Sequence, residues 1–145
     1  MHREALTKDG LEVFPFLKKF DDFYLAGGTA LALQIGHRVS VDFDFFSPDE
    51  ISKNLLTKVK KVFEGLVVSP TINNKDELTV FVGNVKITFL RYPFPLVSKL
   101  IPFEGINLLS IEEITNTKAY TVGRRGSYKD YVDLYFIISA GYVTL

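Results

Sequence analysis

Phe23-Tyr24-Leu25-Ala26-Gly27-Gly28-Thr29-Ala30-Leu31-Ala32-Leu33-Gln34-Ile35-Gly36, followed by Val39-Ser40-Val41-Asp42-Phe43-Asp44-Phe45, decides how this chain folds. Phe23 to Ala26 is a short apolar run that reads as a buried strand. Thr29 to Ile35 is rich in Ala and Leu, the strongest helix formers, and Gly36 supplies the stop. Val39 to Phe45 alternates, with Ser40, Asp42 and Asp44 on one face and Val41, Phe43 and Phe45 on the other, the period of a half-buried strand. Strand, Gly-Gly turn, helix and strand make an α/β unit.

Aspartate is a poor strand former, so two at alternate positions between phenylalanines sacrifice strand propensity for another purpose. They share a face, roughly 6–7 Å apart along the backbone. Both can then lean onto one divalent cation, and Mg²⁺ takes oxygen ligands at about 2.0–2.1 Å. Gly27-Gly28 lets a backbone pass close to phosphate oxygens, the new helix presents unpaired N–H groups, and Thr29 adds a hydroxyl. Taken singly, the glycines are a tight turn and the aspartates the solvated face of an edge strand. Together they describe a phosphate cradle beside a carboxylate-held metal, a site for cutting or moving nucleoside triphosphates. Arg38 sits near the same mouth, to bind a phosphate or to pair with a carboxylate. Ser40 is placed to orient the aspartates by hydrogen bonding, and His37 reads as a surface loop residue.

Outward from this unit, helices and strands alternate. Leu11 to Phe20 has helical spacing, with Pro15 starting or kinking that helix. Ser47-Pro48-Asp49-Glu50 is a helix-start signal for Ile51 to Phe63. Gly65 to Ile72, Leu78 to Val82 and Val85 to Leu90 read as three antiparallel strands. Pro93 to Leu100 is expected as a short helix and Ile106 to Leu109 as a last short strand. Ser110-Ile111-Glu112-Glu113 has capping-box spacing and opens a helix to about Val122. A final helix is expected from about Tyr128 to Ala140. The fold class is therefore mixed α/β (α+β), a small mixed sheet flanked by helices, with residues 1–145 as one domain.

A second constellation, Lys118, Arg125, Lys129, Asp130 and Asp133, lies on the last two helices and their connection. Asp130 and Asp133 stand one helical turn apart on one face. In isolation they are a salt-bridged surface. The apolar run Leu134 to Ile138 instead puts them at the threshold of a core, where carboxylates meet a cation or a catalytic proton. Lys58, Lys60 and Lys61 form a basic stripe, read as a solvated face.

Thirteen Phe and seven Tyr make the core aromatic. The net charge of zero gives no global sign of nucleic-acid binding, so any RNA contact must be local. With no Cys there is no disulfide framework and no thiol nucleophile. The polar start Met1-His2-Arg3-Glu4 and the lack of any membrane-length apolar run predict a soluble, cytoplasmic protein without membrane association.

The stretches Tyr24 to Leu31 and His37 to Phe46 resemble the first motif of the AbiEii/AbiGii-type toxin family, nucleotidyltransferases of the DNA polymerase β-like superfamily. Lys118, Arg125 and Lys129-Asp130-Tyr131-Val132-Asp133 resemble that family's Lys…Arg…(Arg/Lys)-Asp-x-x-Asp motif. The resemblance implies a nucleotidyltransferase fold and a Mg²⁺-dependent enzyme moving a nucleoside monophosphate from an NTP to an acceptor hydroxyl. RNA or transfer RNA is the implied acceptor, and the implied role is that of a toxin paired with a cognate antitoxin. Gly27, Gly28 and Thr29 would hold triphosphate oxygens, with Arg38 and Ser40 beside them. Asp42 and Asp44 would bind Mg²⁺, and Lys118 would touch phosphate. Asp130 would act as base or metal partner, supported by Arg125, Lys129 and Asp133.

Two departures stand out. Polymerase β-like enzymes usually carry a third carboxylate on a later strand, where Val85 to Leu90 offers only Lys86 and Thr88 on its polar face. Relatives also often continue beyond the second motif, so acceptor recognition is expected to be reduced or supplied by a partner. The rival expectations are a catalytically silent nucleotide- or partner-binding module, and a transferase acting on a protein or small molecule.

Overall fold

The computed structural model describes the backbone of residues 1–125 and 127–143, and the side chains of these other than 120–125. Thr7 caps α1 (Lys8–Val13), its Oγ1 accepting from Gly10 N–H at 3.0 Å. Pro15 then interrupts regular helix, and Phe14–Lys19 continues as a 3₁₀ helix, so the expected Leu11–Phe20 helix exists in two pieces. β1 (Tyr24–Ala26) leads directly into α2 (Gly27–Ile35), which ends on Gly36 in the left-handed conformation at φ 63°.

β2 (Phe43–Ser47) is shorter at its start than the sequence pattern suggests. Residues before it are captured by the N-terminal segment: Ser40 N–H donates to the Ala5 carbonyl at 2.8 Å, and Ser40 bridges Leu6. Ser47 does not open a helix. It closes β2 opposite Arg91, and α3 begins only at Leu55 (Leu55–Val62), because Ile51 is buried and its N–H goes to the Lys75 carbonyl at 2.8 Å.

β3 (Val68–Asn73), β4 (Glu77–Val82) and β5 (Val85–Arg91) form the expected antiparallel run. Residues 93–100 are not helical. Pro93 and Pro95 lack N–H donors and bias their neighbours to extended backbone, while the Glu113 carboxylate takes the N–H groups of Val97 and Ser98. The expected last strand is present as β7 (Ile106–Leu108), preceded by β6 (Ile101–Phe103), which the pattern did not reveal. α4 (Ile111–Arg125) and α5 (Tyr128–Ser139) are the last elements among the described residues.

The seven strands make one mixed sheet in the order β3-β4-β5-β2-β1-β7-β6. β2 runs parallel to β5 and antiparallel to β1. On one face Phe43, Phe45, Ile87, Phe89, Leu78 and Val80 are buried against Phe14, Phe20 and Phe63. Phe20 and Phe89 rings lie 5.1 Å apart, and Phe45 stacks on Phe89 at 5.5 Å. Each such buried side chain contributes roughly 1.5–3 kcal/mol. The opposite face carries the row Ala26–Asp44–Thr88–Thr79, fixed by the register of four strands. α2 packs beside this row, and α4 and α5 pack on α2 and on each other.

Candidate active site

Asp44 stands opposite Ala26, the residue before the Gly-Gly turn. Gly27 has φ 65°, and a Cβ on it would lie 2.7 Å from Asp44 Oδ2. Only glycine combines that backbone with so close an approach of the carboxylate to the start of α2. At Gly28 a Cβ would collide with the Arg38 guanidinium and reach 3.2 Å from Asp133 Oδ2. Both glycines thus make room for charged side chains at the helix N-terminus.

Thr29 and Ser40 are buried, and their hydroxyls bond each other at 2.6 Å. Thr29 also donates to the Asp42 carbonyl. The Thr29 proton is therefore committed to holding the Asp42 backbone rather than offered to a ligand. Ser40 acts on the aspartates through Thr29 rather than by bonding their carboxylates. Both residues line the cleft all the same.

That cleft, of about 150 Å³, brings the two ends of the sequence together. Asp42 and Asp44 share it with Gly28, Arg38 and Lys118, and Ser127, Lys129 and Asp130 also line it. A larger hollow of about 400 Å³ near Phe20, Ser47 and Lys58 contains none of the expected site residues.

Asp133 is the anchor of the second constellation and is completely buried. Arg38 grips it with two parallel bonds, Nε to Oδ1 at 2.7 Å and Nη2 to Oδ2 at 3.0 Å. Lys118 Nζ reaches Asp133 Oδ2 at 2.7 Å and Asp130 Oδ1 at 3.0 Å. His37 Nε2 lies 2.5 Å from Asp133 Oδ1, and its ring packs on Phe136 with centroids 5.4 Å apart. His37 is therefore an interior residue with a side chain 2% exposed, correcting its reading as a surface residue. The carboxylate accepts, so Nε2 carries the hydrogen of that bond; Nδ1 is buried without a hydrogen-bond partner.

Asp44 on one side and Asp130 and Asp133 on the other are shifted in opposite directions. Burial, then the neighbouring Asp42 charge, push the Asp44 carboxyl up to about 6, against smaller opposing effects of Lys86 and Lys118. For Asp133, burial also acts upward, but hydrogen bonds from His37, Arg38 and Lys118 outweigh it and hold the carboxyl well below the usual range. Asp130 is likewise lowered: its burial is outweighed by Lys118 and by bonds from Ser127.

Asp130 has a structural task that the sequence pattern also encodes. Ser127 Oγ accepts from Asp130 N–H at 3.4 Å while Asp130 Oδ2 accepts from Ser127 N–H at 3.2 Å, a capping box at the start of α5. The Ser-x-x-Asp spacing is the signal that could have found it. Lys129 is exposed at the rim, and the Arg125 side chain lies outside the described residues. Of the basic stripe, Lys58 lies over the Phe20 ring at 5.3 Å, and Lys60 and Lys61 are exposed.

Residues 11–145 match the family model for the nucleotidyl transferase AbiEii toxin of type IV toxin–antitoxin systems. The chain belongs to the AbiEii family. It is 34% identical over 133 residues to the uncharacterized protein aq_aa25 of Aquifex aeolicus (strain VF5), covering 90% of this chain and 65% of that protein. The chain thus spans slightly less than two thirds of this curated relative. Among solved structures, a Helicobacter pylori protein described as a nucleotidyltransferase superposes with TM-score 0.68 at 22% identity, covering 94% of this chain and 70% of that one. The Megavirus polyadenylate synthase superposes with TM-score 0.64 at 15% identity over 90% of this chain and 30% of that one. These likenesses show that the chain has the fold of solved nucleotidyltransferases. No helix among the described residues of this AbiEii-family chain is long and apolar enough to cross a membrane.

Proposed function

We propose that this chain, acting as one domain over residues 1–145, is a Mg²⁺-dependent nucleotidyltransferase that moves a nucleoside monophosphate from an NTP to an acceptor hydroxyl. The acceptor is RNA, in particular transfer RNA, and the setting is the cytoplasm, as the toxin of a toxin–antitoxin pair with a cognate antitoxin as partner. Family membership supports the toxin role and the antitoxin partner.

The observation that carries the reading is the pairing, across one cleft, of two carboxylates that bond no counter-ion among the described residues against two cations, Arg38 and Lys118. A divalent cation fits the carboxylate side. Asp42 and Asp44 are hard oxygen donors, and the Asp44 carboxyl, raised first by burial and then by the Asp42 charge, is one that a bound cation would stabilise in its ionised form. Among the described residues no third His, Cys, Asp or Glu joins them as a ready-made metal cluster. The two aspartates would therefore hold the metal together with substrate oxygens. Bound there, Mg²⁺ supplies neutralisation of phosphate charge.

The chain's own residues do the rest. The α2 N-terminus, beginning at Gly27 and Gly28, turns its positive end toward the triphosphate. Lys118 has three ammonium hydrogens; two are used on Asp130 and Asp133, leaving one for a phosphate oxygen. Arg38, held in place by Asp133, offers its remaining N–H groups beside Gly28, while Lys129 adds positive charge at the rim, and Arg125 is assigned a supporting role by the family motif alone. Asp130 is poised as base or metal partner through its contact with Lys118.

One observation favours a second reading, a catalytically silent nucleotide- or partner-binding module: β5 presents Thr88, not a carboxylate, beside Asp44. A third reading, transfer to a protein or small molecule, is separated from RNA transfer by salt, since RNA binding weakens steeply as salt rises. The test is transfer from α-³²P-labelled NTPs, one at a time with Mg²⁺, onto total RNA. The wild-type chain should label RNA and Asp42→Asn should not. NTP binding without label in any RNA would support the silent module or a non-RNA acceptor.

A further inference from the structure

The place of a third carboxylate beside Asp44 is taken by a hydroxyl, and that hydroxyl is not isolated. Thr88 faces Asp44 in the parallel β2–β5 register, on strands about 4.8 Å apart. Thr88 also pairs with Thr79 on β4, with their hydroxyls 3.3 Å apart. Thr79 in turn donates to Glu77 Oε2 at 2.7 Å. Thr79 is 2% exposed, so this line of oxygens runs through a protected part of the sheet face.

The direction of the chain follows from hydrogen counting. A threonine hydroxyl has one hydrogen, and that of Thr79 is spent on Glu77. Thr88 must therefore donate to Thr79, which leaves the Thr88 oxygen as an acceptor beside Asp44. Its position suits an incoming nucleophile. Arg38 and Asp133, and through Asp133 also Lys118, gather at Gly28 at the start of α2, which follows β1, whereas Thr88 stands on β5, separated from β1 by β2. Displacement at phosphorus places the attacking and leaving oxygens roughly in line, on opposite sides of the transferred group.

We propose that Thr88, Thr79 and Glu77 form a proton relay that serves in place of a third carboxylate at the metal pair, with Thr88 as the residue that touches the acceptor hydroxyl. The acceptor oxygen forms a bond to the α-phosphorus as the bond to the pyrophosphate oxygen breaks, and that bonding pair leaves on pyrophosphate. The acceptor proton passes to Thr88 Oγ1, the Thr88 proton to Thr79 Oγ1, and the Thr79 proton to Glu77 Oε2. Atoms and charge balance without a further reactant. The 3.3 Å link is longer than a strong hydroxyl bond, as catalytic hydrogen bonds often are before substrate tightens them. Thr79 and Glu77 act through Thr88 and are positioning residues in this scheme. The inference rests on the nucleotidyl-transfer reading above.

The decisive variant is Glu77→Gln, whose amide oxygen can still accept from Thr79 but does not serve as the proton sink. With the full chain, Mg²⁺, labelled NTP and RNA, Glu77→Gln and Thr88→Val should each lower kcat by about 10²-fold, the lower range for general acid–base assistance, with KM for NTP unchanged. Thr88→Ser should restore kcat to within about threefold of wild type, because it returns the hydroxyl. The double variant Glu77→Gln/Thr88→Val should be no slower than either single variant, because the two act as one unit. Unfolding midpoints check that Glu77→Gln, a partly exposed site, remains folded. Wild-type kcat in Glu77→Gln, or in folded Thr88→Val, overturns the relay while leaving nucleotidyl transfer standing. A wild-type chain that transfers to no acceptor overturns both.

Discussion

Asp42, Asp44 and Asp130 line one cleft and Asp133 is buried beneath Arg38 and Lys118, yet the surroundings of the two acid pairs could hardly differ more. Asp133 is enclosed by Arg38, Lys118 and His37, so every strong acceptor direction is used. Asp44 is pressed against Gly27 and feels the Asp42 charge, with no cation bonded to it among the described residues. The same functional group is thus an internal counter-ion in one place and, among the described residues, a carboxyl without a bonded cation in the other. Carboxylates held together at a stability cost cluster at functional sites, where a ligand compensates them. The saturated pair fixes the cations; the unsaturated pair leaves room for a metal.

The largest effect should come from breaking the saturated side. Asp133→Ala leaves Arg38 and Lys118 buried around a missing carboxylate, and should destabilise the chain by about 3–5 kcal/mol in urea unfolding. Because the Asp133 carboxyl is lowered in the fold, its contribution is present above its ordinary value of 3.8 and is lost as pH falls below it.

On the unsaturated side the sign reverses. Between 3.8 and about 6 the folded chain still holds the Asp44 proton that the unfolded chain has released. Metal-free stability therefore falls as pH rises through that window, by about 2–3 kcal/mol. Asp44→Asn removes the buried charge and should raise the unfolding free energy by a similar amount at pH 8 while abolishing transfer. Saturating Mg²⁺ should narrow the gap between variant and wild type. A variant less stable than wild type at pH 8 would break the contrast.

The smallest effect sharpens the role of Asp130. Ser127→Ala removes half of the α5 capping box and should cost about 1 kcal/mol. It should also weaken NTP binding if the cap holds Asp130, and through it Lys118, in place.

Much of this contrast is legible in the sequence itself. Asp42, Asp44, Gly27 and Gly28 stand out because alternation, breakers and turn residues are local signals; Lys118 and Asp130 stand out beside the apolar run of the last helix, and the family resemblance gives them their roles. Burial of His37 is not legible, since its partner Asp133 is ninety-six residues away. The Glu77–Thr79–Thr88 row is equally hidden, because it exists only through the register of β4, β5 and β2. Residues 93–100 mislead for a different reason: the Glu113 carboxylate, reaching over from α4, takes backbone donors that a helix would have used. Local pattern finds residues that must be special. It does not say which distant side chain makes them so.

The central contrast is tested most directly by following individual aspartate carboxyl carbons by NMR across pH, with and without Mg²⁺. Asp44 should titrate near 6 in the metal-free chain and shift downward on adding Mg²⁺. Asp133 should stay ionised until the fold is lost in acid, with or without the metal. An Asp44 that titrates in the ordinary range and ignores Mg²⁺ would contradict the account.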